Sequence, residues 1–309
     1  MPQPALNPIK RIELPTRSEF RKRWLPLGEP LIFTRAVANW RATREWSVEA
    51  FKNSLGDTMI WAERGPLFEF EKEQLSLAEY IERTIEADPP ETMYWSGARV
   101  FQLWPMLVDH IDLDRPDLFN QALMALPRMY IGPLASFSPI HFDHAPNFTA
   151  QIVGRKRWVF YAPDQTDLLY RYPWHHFLGH FSTINTREKL EDFDRFPLFE
   201  RAQAWEAVVE PGDMIYVPPK WWHHVSSLDP TISLHFFWKT WPQYALQVAR
   251  RPLWNAFGKS QQSDAVLDWR KIRLIRQLRA MRGSHDGLQG REIAEVGEKA
   301  SRLVARTRK

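Results

Sequence analysis

The sequence predicts a mainly β protein with flanking helices, built around an antiparallel barrel or jelly roll. Three observations carry this. Between about residues 130 and 240, short runs of β-branched and aromatic residues alternate with Pro, Gly and Asp turns. Before that region, short strand and helix signals are mixed. After it, apolar residues recur at helical spacing. The domain boundaries follow from these shifts: 1–130 as an N-terminal α/β flank, 131–240 as the barrel core, and 241–309 as a basic helical region.

Each element has its own signal. "EPLIFTRA" (29–36) reads as a strand. "SVEAFKNSL" (47–55) reads as a helix with Ser47 as its N-cap, and "SLAEYIERTIEA" (76–87) as a helix capped by Ser76. "RPDLFNQALMAL" (115–126) reads as a third helix. "AQIVGRKRWVFYAP" (150–163) holds two apolar strand segments around a Gly-containing turn, which is a hairpin signal. "AWEAVVEPGDMIYVPP" (204–219) repeats the theme around Pro-Gly-Asp, and "ISLHFFW" (232–238) adds a further strand. The segment from about 165 to 200 breaks the strand rhythm and predicts a long loop with short helices, a kind of insert that often carries function. In the tail, Val266, Trp269, Ile272, Ile275 and Leu278 form one helical stripe beside Arg270, Arg273, Arg276 and Arg279. A last helix repeats the pattern with Ile293, Val296, Leu303 and Val304.

Composition narrows the classes. With 309 residues, 44% hydrophobic and 25% charged, the chain has ample material for a core. Its 15 Trp and 19 Phe predict aromatic walls around a core or cleft. Cysteine is absent, which excludes disulfides, thiolate metal sites and cysteine nucleophiles. No apolar run is long enough to span a bilayer, and the first residues lack the apolar stretch of a secretory signal, so the expected location is cytoplasmic. The net charge of +4 is unevenly spread: from Pro242 onward, 15 Lys and Arg stand against 6 Asp and Glu, a net of +9. The remaining 26 basic and 31 acidic residues give −5. Such a tail points to an acidic partner, nucleic acid included.

Chemistry concentrates in "SPIHFDHAPNF" (138–148). On a strand, His141 and Asp143 share one face, while Phe142 and His144 take the other. The pair reads as a satisfied core histidine, an acid/base pair, or two ligands of a metal. A second candidate, "PGDMIYVPPKWWHHV", places His223 82 residues beyond His141, with His224 beside it. A barrel can bring the two strands together. Two His and one carboxylate on one face form the facial triad of non-haem Fe(II) oxygenases. His175, His176 and His180 in the insert read as loop histidines facing substrate or solvent.

The motifs around these residues carry a resemblance. His141-x-Asp143-x3-Asn147-x6-Gly154 resembles the first cupin motif, with Asp for its second His and Asn for its Glu. Gly212-x5-Pro218-x-Lys220-x2-His223 resembles the second, with Lys for a Gly, and this match selects His223 over His224. "HFDHAPNFTAQIVGRKRWVFYAPDQ", "RYPWHHF" and "DRFPLF" are similar to segments of the JmjC-type, cupin-like-domain hydroxylases, asparaginyl hydroxylases among them. The resemblance covers residues 25–240. It implies a double-stranded β-helix core and an Fe(II)- and 2-oxoglutarate-dependent dioxygenase that uses O2 and releases succinate and CO2. It also implies His141, Asp143 and His223 as metal ligands. Lys156 and Ser138 fall where the family meets the distal carboxylate of 2-oxoglutarate. Asn147 and Tyr94 fall at further cosubstrate contacts, and His235 stands where the family has Asn. A protein or peptide substrate is expected, with RNA or a small metabolite as alternatives and a non-enzymatic binding protein as a third. N-Methyl hydroxylation by the same chemistry leads to demethylation. The family's C-terminal helices imply a homodimer.

Overall fold

The computed structural model describes residues 6–64, 71–112, 127–184 and 194–238. The third predicted helix (115–126), the insert at 185–193 and the tail helices lie outside the described residues. Fourteen strands are described. The first six are β1 (Asn7–Pro8), β2 (Lys10–Ile12), β3 (Leu31–Phe33), β4 (Met59–Arg64), β5 (Glu71–Ser76) and β6 (Met93–Ala98). The rest are β7 (Arg128–Gly132), β8 (Phe137–Phe142), β9 (Asn147–Val153), β10 (Lys156–Tyr161), β11 (Trp205–Val209), β12 (Met214–Val217), β13 (Trp222–Ser227) and β14 (Thr231–Phe237).

The strands form two sheets, ordered β1-β11-β10-β13-β8 and β2-β3-β12-β9-β14-β7-β6-β4-β5. From β7 to β14 every connection crosses from one sheet to the other, except β10 to β11, which are neighbours joined through the insert. This alternation is the jelly roll that the turn spacing predicts. The N-terminal strands extend both sheets: β1 pairs with β11, and β3 pairs with β12.

Two predicted hairpins are corrected. β9 pairs with β12 and β14, whereas β10 pairs with β11 and β13, so the turn at Gly154 is a corner between sheets. β11 and β12 likewise part company at Gly212. The reason is burial. β9 and β10 are covered on nearly every residue, so each strand packs on both faces and takes its partners from distant segments. Gly154 sits at φ +67°, and a Cβ there would collide with the Pro230 carbonyl of the β13–β14 turn.

The predicted helix caps are present. Ser47 Oγ accepts from Ala50 N at 2.9 Å at the start of the helix Val48–Leu55. Ser76 Oγ accepts from Glu79 N at 3.1 Å before Leu77–Ile81, which runs on as a wider π turn over Glu82–Glu86. Tyr80 ties this helix to the large sheet. Its buried hydroxyl donates to Ile131 O at 2.9 Å and accepts from Trp95 N at 3.2 Å.

Apolar side chains fill two layers. Trp158, Phe160, Ile215, Val217 and Val225 pack between the sheets. Ile140, Phe142, Val159 and Trp222 face outward from the smaller sheet and are covered by Leu169, Ile184 and Phe199 of the insert. Burying Trp158 and Trp222 stabilises by roughly 2–3 kcal/mol each. Among the described residues, no helix is long and apolar enough to cross a membrane.

Candidate metal centre

β8 and β13 run antiparallel with His141 opposite His223. Residues paired in this way project from the same face. The two rings lie 4.3 Å apart, centroid to centroid. Asp143 follows the last residue of β8, and its Oδ2 is 4.0 Å from His223 Nε2. One ligand atom from each of His141, Asp143 and His223 lies within 4.8 Å of the others.

The backbone sets the histidine tautomers. His141 Nδ1 is 2.7 Å from Pro139 O, and His223 Nδ1 is 3.0 Å from Trp221 O. A carbonyl only accepts, so each Nδ1 carries a proton and Nε2 is the nitrogen left to meet a metal. Burial holds the His223 pKa well below its ordinary value, with His141 adding to the effect. Burial also raises the Asp143 carboxyl, opposed by His141 and Arg128. Two imidazole Nε2 atoms grouped with a buried carboxyl group fit a divalent cation.

Aromatic walls hold the ligands. Phe181 stacks on His141 at 5.2 Å and 21°, and Trp158 on His223 at 5.7 Å and 30°. Phe181 belongs to the insert, which the sequence reads as loop. The segment 180–182 instead adds to the edge of β8: Phe142 N donates to His180 O at 3.0 Å, and Ser182 N to Ile140 O at 2.9 Å. Aromatic composition predicts such walls, but only the pairing identifies Trp158 and Phe181 as the wall residues.

Lys156 opens β10 and points between the sheets, 3% exposed. Its Nζ donates to Ser233 Oγ at 3.3 Å and to Tyr94 Oη at 3.4 Å, and lies about 6 Å from the Tyr94 and Tyr130 rings. Among the described residues no carboxylate pairs with it, and burial pulls its pKa down to about 7. Asn147 Nδ2 and Thr149 Oγ1 lie 3.3 and 3.1 Å from His235 Nδ1. An amide N–H donates, so His235 Nδ1 accepts and the proton sits on Nε2, 3.4 Å from Ser233 Oγ. The His235 ring packs 4.1 Å from Tyr130. Burial, then Lys156, keeps the imidazole neutral. Asn147 Oδ1 is buried with no hydrogen-bond partner. A buried lysine without an acid among the described residues fits a ligand that carries a carboxylate, whereas the orphan amide oxygen calls for a donor such as a water. Thr149 and Ser233 escape the sequence reading, since neither stands at a marked position of the motifs around them.

Ser138 turns to the inner face through a bulge. It is paired with Val225 while His141 is paired with His223, so three steps on β8 match two on β13. Strand parity alone would put Ser138 and His141 on opposite faces; the extra residue restores Ser138 to the inner one. The other histidines lie elsewhere. His144 Nδ1 is 3.1 Å from Lys220 Nζ. His224 lies beside Val159, whose side chain belongs to the outward-facing layer. His176 stacks on Tyr172 at 5.1 Å, and His180 lies 6.0 Å from His144.

Comparison with known proteins matches this architecture to a family. Residues 17–244 match the cupin-like domain. Jumonji C domain-containing protein 5 of Drosophila melanogaster is 25% identical over 260 residues, covering 77% of this chain and 64% of the relative. Lysine-specific demethylase 8 of Danio rerio is 29% identical, covering 76% and 60% respectively. Arginine-specific demethylase JMJ20 of Arabidopsis thaliana is 25% identical, covering 79% and 59%. The chain thus spans from about half to nearly two thirds of the length of the curated relatives it matches. With its family match over the jelly roll and its His141–Asp143–His223 cluster, the chain belongs to the cupin-like domain family of JmjC type.

Proposed function

We propose that this protein is an Fe(II)- and 2-oxoglutarate-dependent dioxygenase that hydroxylates a side chain of a protein or peptide. The observation that carries this reading is the three-ligand cluster sharing one barrel interior with a buried, acid-free Lys156. His141, Asp143 and His223 would hold the metal and leave its other positions open. Lys156, with Tyr94 and Ser138, would hold the distal carboxylate of 2-oxoglutarate. Asn147 Oδ1, orphaned in the buried interior, would need a donor such as a water carried by the metal, since 2-oxoglutarate offers acceptors only, and His235 holds the Asn147 amide in place. When bound, iron and 2-oxoglutarate supply the oxidation, consuming O2 and releasing succinate and CO2. Trp158 and Phe181 exclude water from the two imidazoles and keep their rotamers fixed.

Relatives named as lysine- and arginine-specific demethylases support a protein side chain as substrate. The +9 charge after Pro242 favours RNA as a second reading. We further propose a cytoplasmic location and pairing of two copies through residues 241–309. The test is succinate release from 2-oxoglutarate with Fe(II), run beside metal analysis of the purified protein. His141→Ala and Asp143→Ala should abolish both metal content and succinate; turnover unchanged from wild type in both variants would sink the reading.

A further inference from the structure

Charge around the candidate site is one-sided. Arg128 opens β7 opposite His235 in the β7–β14 ladder. It is exposed. Gly97, at φ +67°, leaves room for it: a Cβ there would stand 3.4 Å from one of its nitrogens. At the end of β8, Arg171 and Lys220 lie over the Phe142 ring at 5.4 and 4.4 Å. Lys220 N donates to Asp143 O at 2.9 Å, which ties the Lys220 backbone to the segment that bears the ligand.

Among the described residues none of these three cations has a carboxylate within ion-pair distance, whereas Arg41, Arg83 and Arg155 all pair with acids elsewhere on the surface. The nearby carboxylate of Glu63 accepts from Ser96 Oγ at 3.1 Å. The turn 173–179, clamped by Arg171 Nε donating to Gly179 O, carries Trp174 at 82% and Phe177 at 75% exposure. Exposed aromatics next to unpaired cations form a surface complementary to acidic and apolar side chains together.

We propose that the substrate is an acidic protein segment, its carboxylates meeting Arg128, Arg171 and Lys220 and its apolar side chains lying on Trp174 and Phe177. This rests on the protein-hydroxylase reading and specifies its substrate class. A basic segment would be repelled by these cations, so the target residue is neutral or is embedded among acids. Bidentate pairing of Arg128 with a carboxylate gives register as well as attraction.

The test uses the full chain with Mn(II) and 2-oxoglutarate and reads fluorescence anisotropy. The probes are short labelled peptide pools rich in Asp, Glu and Leu, matched pools with Gln and Ser, matched pools with Lys and Arg, and a mixed-sequence RNA oligomer. Acidic pools should bind at least about tenfold tighter than basic pools, a difference of about 1.4 kcal/mol. That preference should shrink with added salt. Arg128→Glu combined with Lys220→Glu should cancel or reverse it, while Arg128→Lys should retain most of it. Equal affinity for all peptide pools, preference for the basic pool, or binding of RNA alone would overturn the proposal. A melting-temperature rise of the wild-type protein with Mn(II) and 2-oxoglutarate is recorded in the same samples. Its absence counts against the oxygenase reading, whereas the peptide preference decides the substrate class.

Discussion

His141 and His223 face each other across the β8–β13 ladder, and each donates its Nδ1 proton to the carbonyl two residues earlier in its own chain segment, Pro139 and Trp221. The same local device therefore presets both tautomers before any ligand arrives. Reorganisation on metal binding is small, and the cluster is prepared for a cation by the backbone itself.

Loss of a ligand should therefore be severe. His141→Ala, Asp143→Ala and His223→Ala should each weaken Mn(II) or Fe(II) affinity by more than the 10–100-fold typical of supporting contacts. Metal titration followed by calorimetry checks this. Phe181→Ala, which removes only the stacking wall of His141, should stay within that 10–100-fold range.

Lys156 makes stability depend on pH in a definite direction. Its folded pKa lies at about 7, below the ordinary lysine value. Between these limits the unfolded chain holds a proton that the folded chain lacks, so stability rises with pH across this window. Melting temperatures from pH 7 to 9 should climb in the wild type relative to Lys156→Met. Affinity for 2-oxoglutarate should change the other way, weakening as pH rises through about 7, because the anion binds the charged ammonium.

His224 acts at the acid end. Burial lowers its pKa to about 4, and its Nε2 has no hydrogen-bond partner. A depressed imidazole contributes stability that is present above the unfolded pKa and lost as pH falls toward the folded one. His224→Leu should remove that acid sensitivity, a difference of about 3 kcal/mol between pH 7 and pH 4 by urea denaturation. An unchanged difference between variant and wild type would contradict the assignment.

Gly154 and Gly28 separate backbone strain from collision. Both adopt left-handed φ, +67° and +61°, but a Cβ at Gly28 meets nothing within 4 Å, while one at Gly154 runs into the Pro230 carbonyl. Gly28→Ala should cost about 1–2 kcal/mol from the left-handed conformation alone. Gly154→Ala should cost clearly more, because two sheets must move apart at their corner. Equal denaturation midpoints for the two variants would refute the contact argument.

Much of the candidate site was legible because its residues sit in short motifs. His141 and Asp143 are two apart, and Pro218, Lys220 and His223 mark a turn followed by a strand. Helix caps at Ser47 and Ser76 were readable for the same reason: a cap is a contact over three residues. The hairpin reading of Gly154 failed because local apolar runs look the same whether two strands pair with each other or with distant partners. Thr149, Ser233 and Phe181 were invisible since their roles depend on which strand lies opposite. That Arg128, Arg171 and Lys220 have no carboxylate partner among the described residues could not be read either, because an ion pair is a spatial relation between remote side chains.

By itself, the sequence determined the β-rich class, the turn positions, the absence of sulfur chemistry, and the candidate ligands His141, Asp143 and His223. These are matters of residue type and short spacing, on which local backbone preference and motif both act. Only the tertiary structure decided that β9 and β10 separate into different sheets, that a bulge turns Ser138 inward, and that Lys156 lies buried beside Ser233 and Tyr94 with no acid paired to it among the described residues. The physical reason is that register and burial are set by long-range pairing: a strand buried on both faces takes its neighbours from wherever the closed barrel places them.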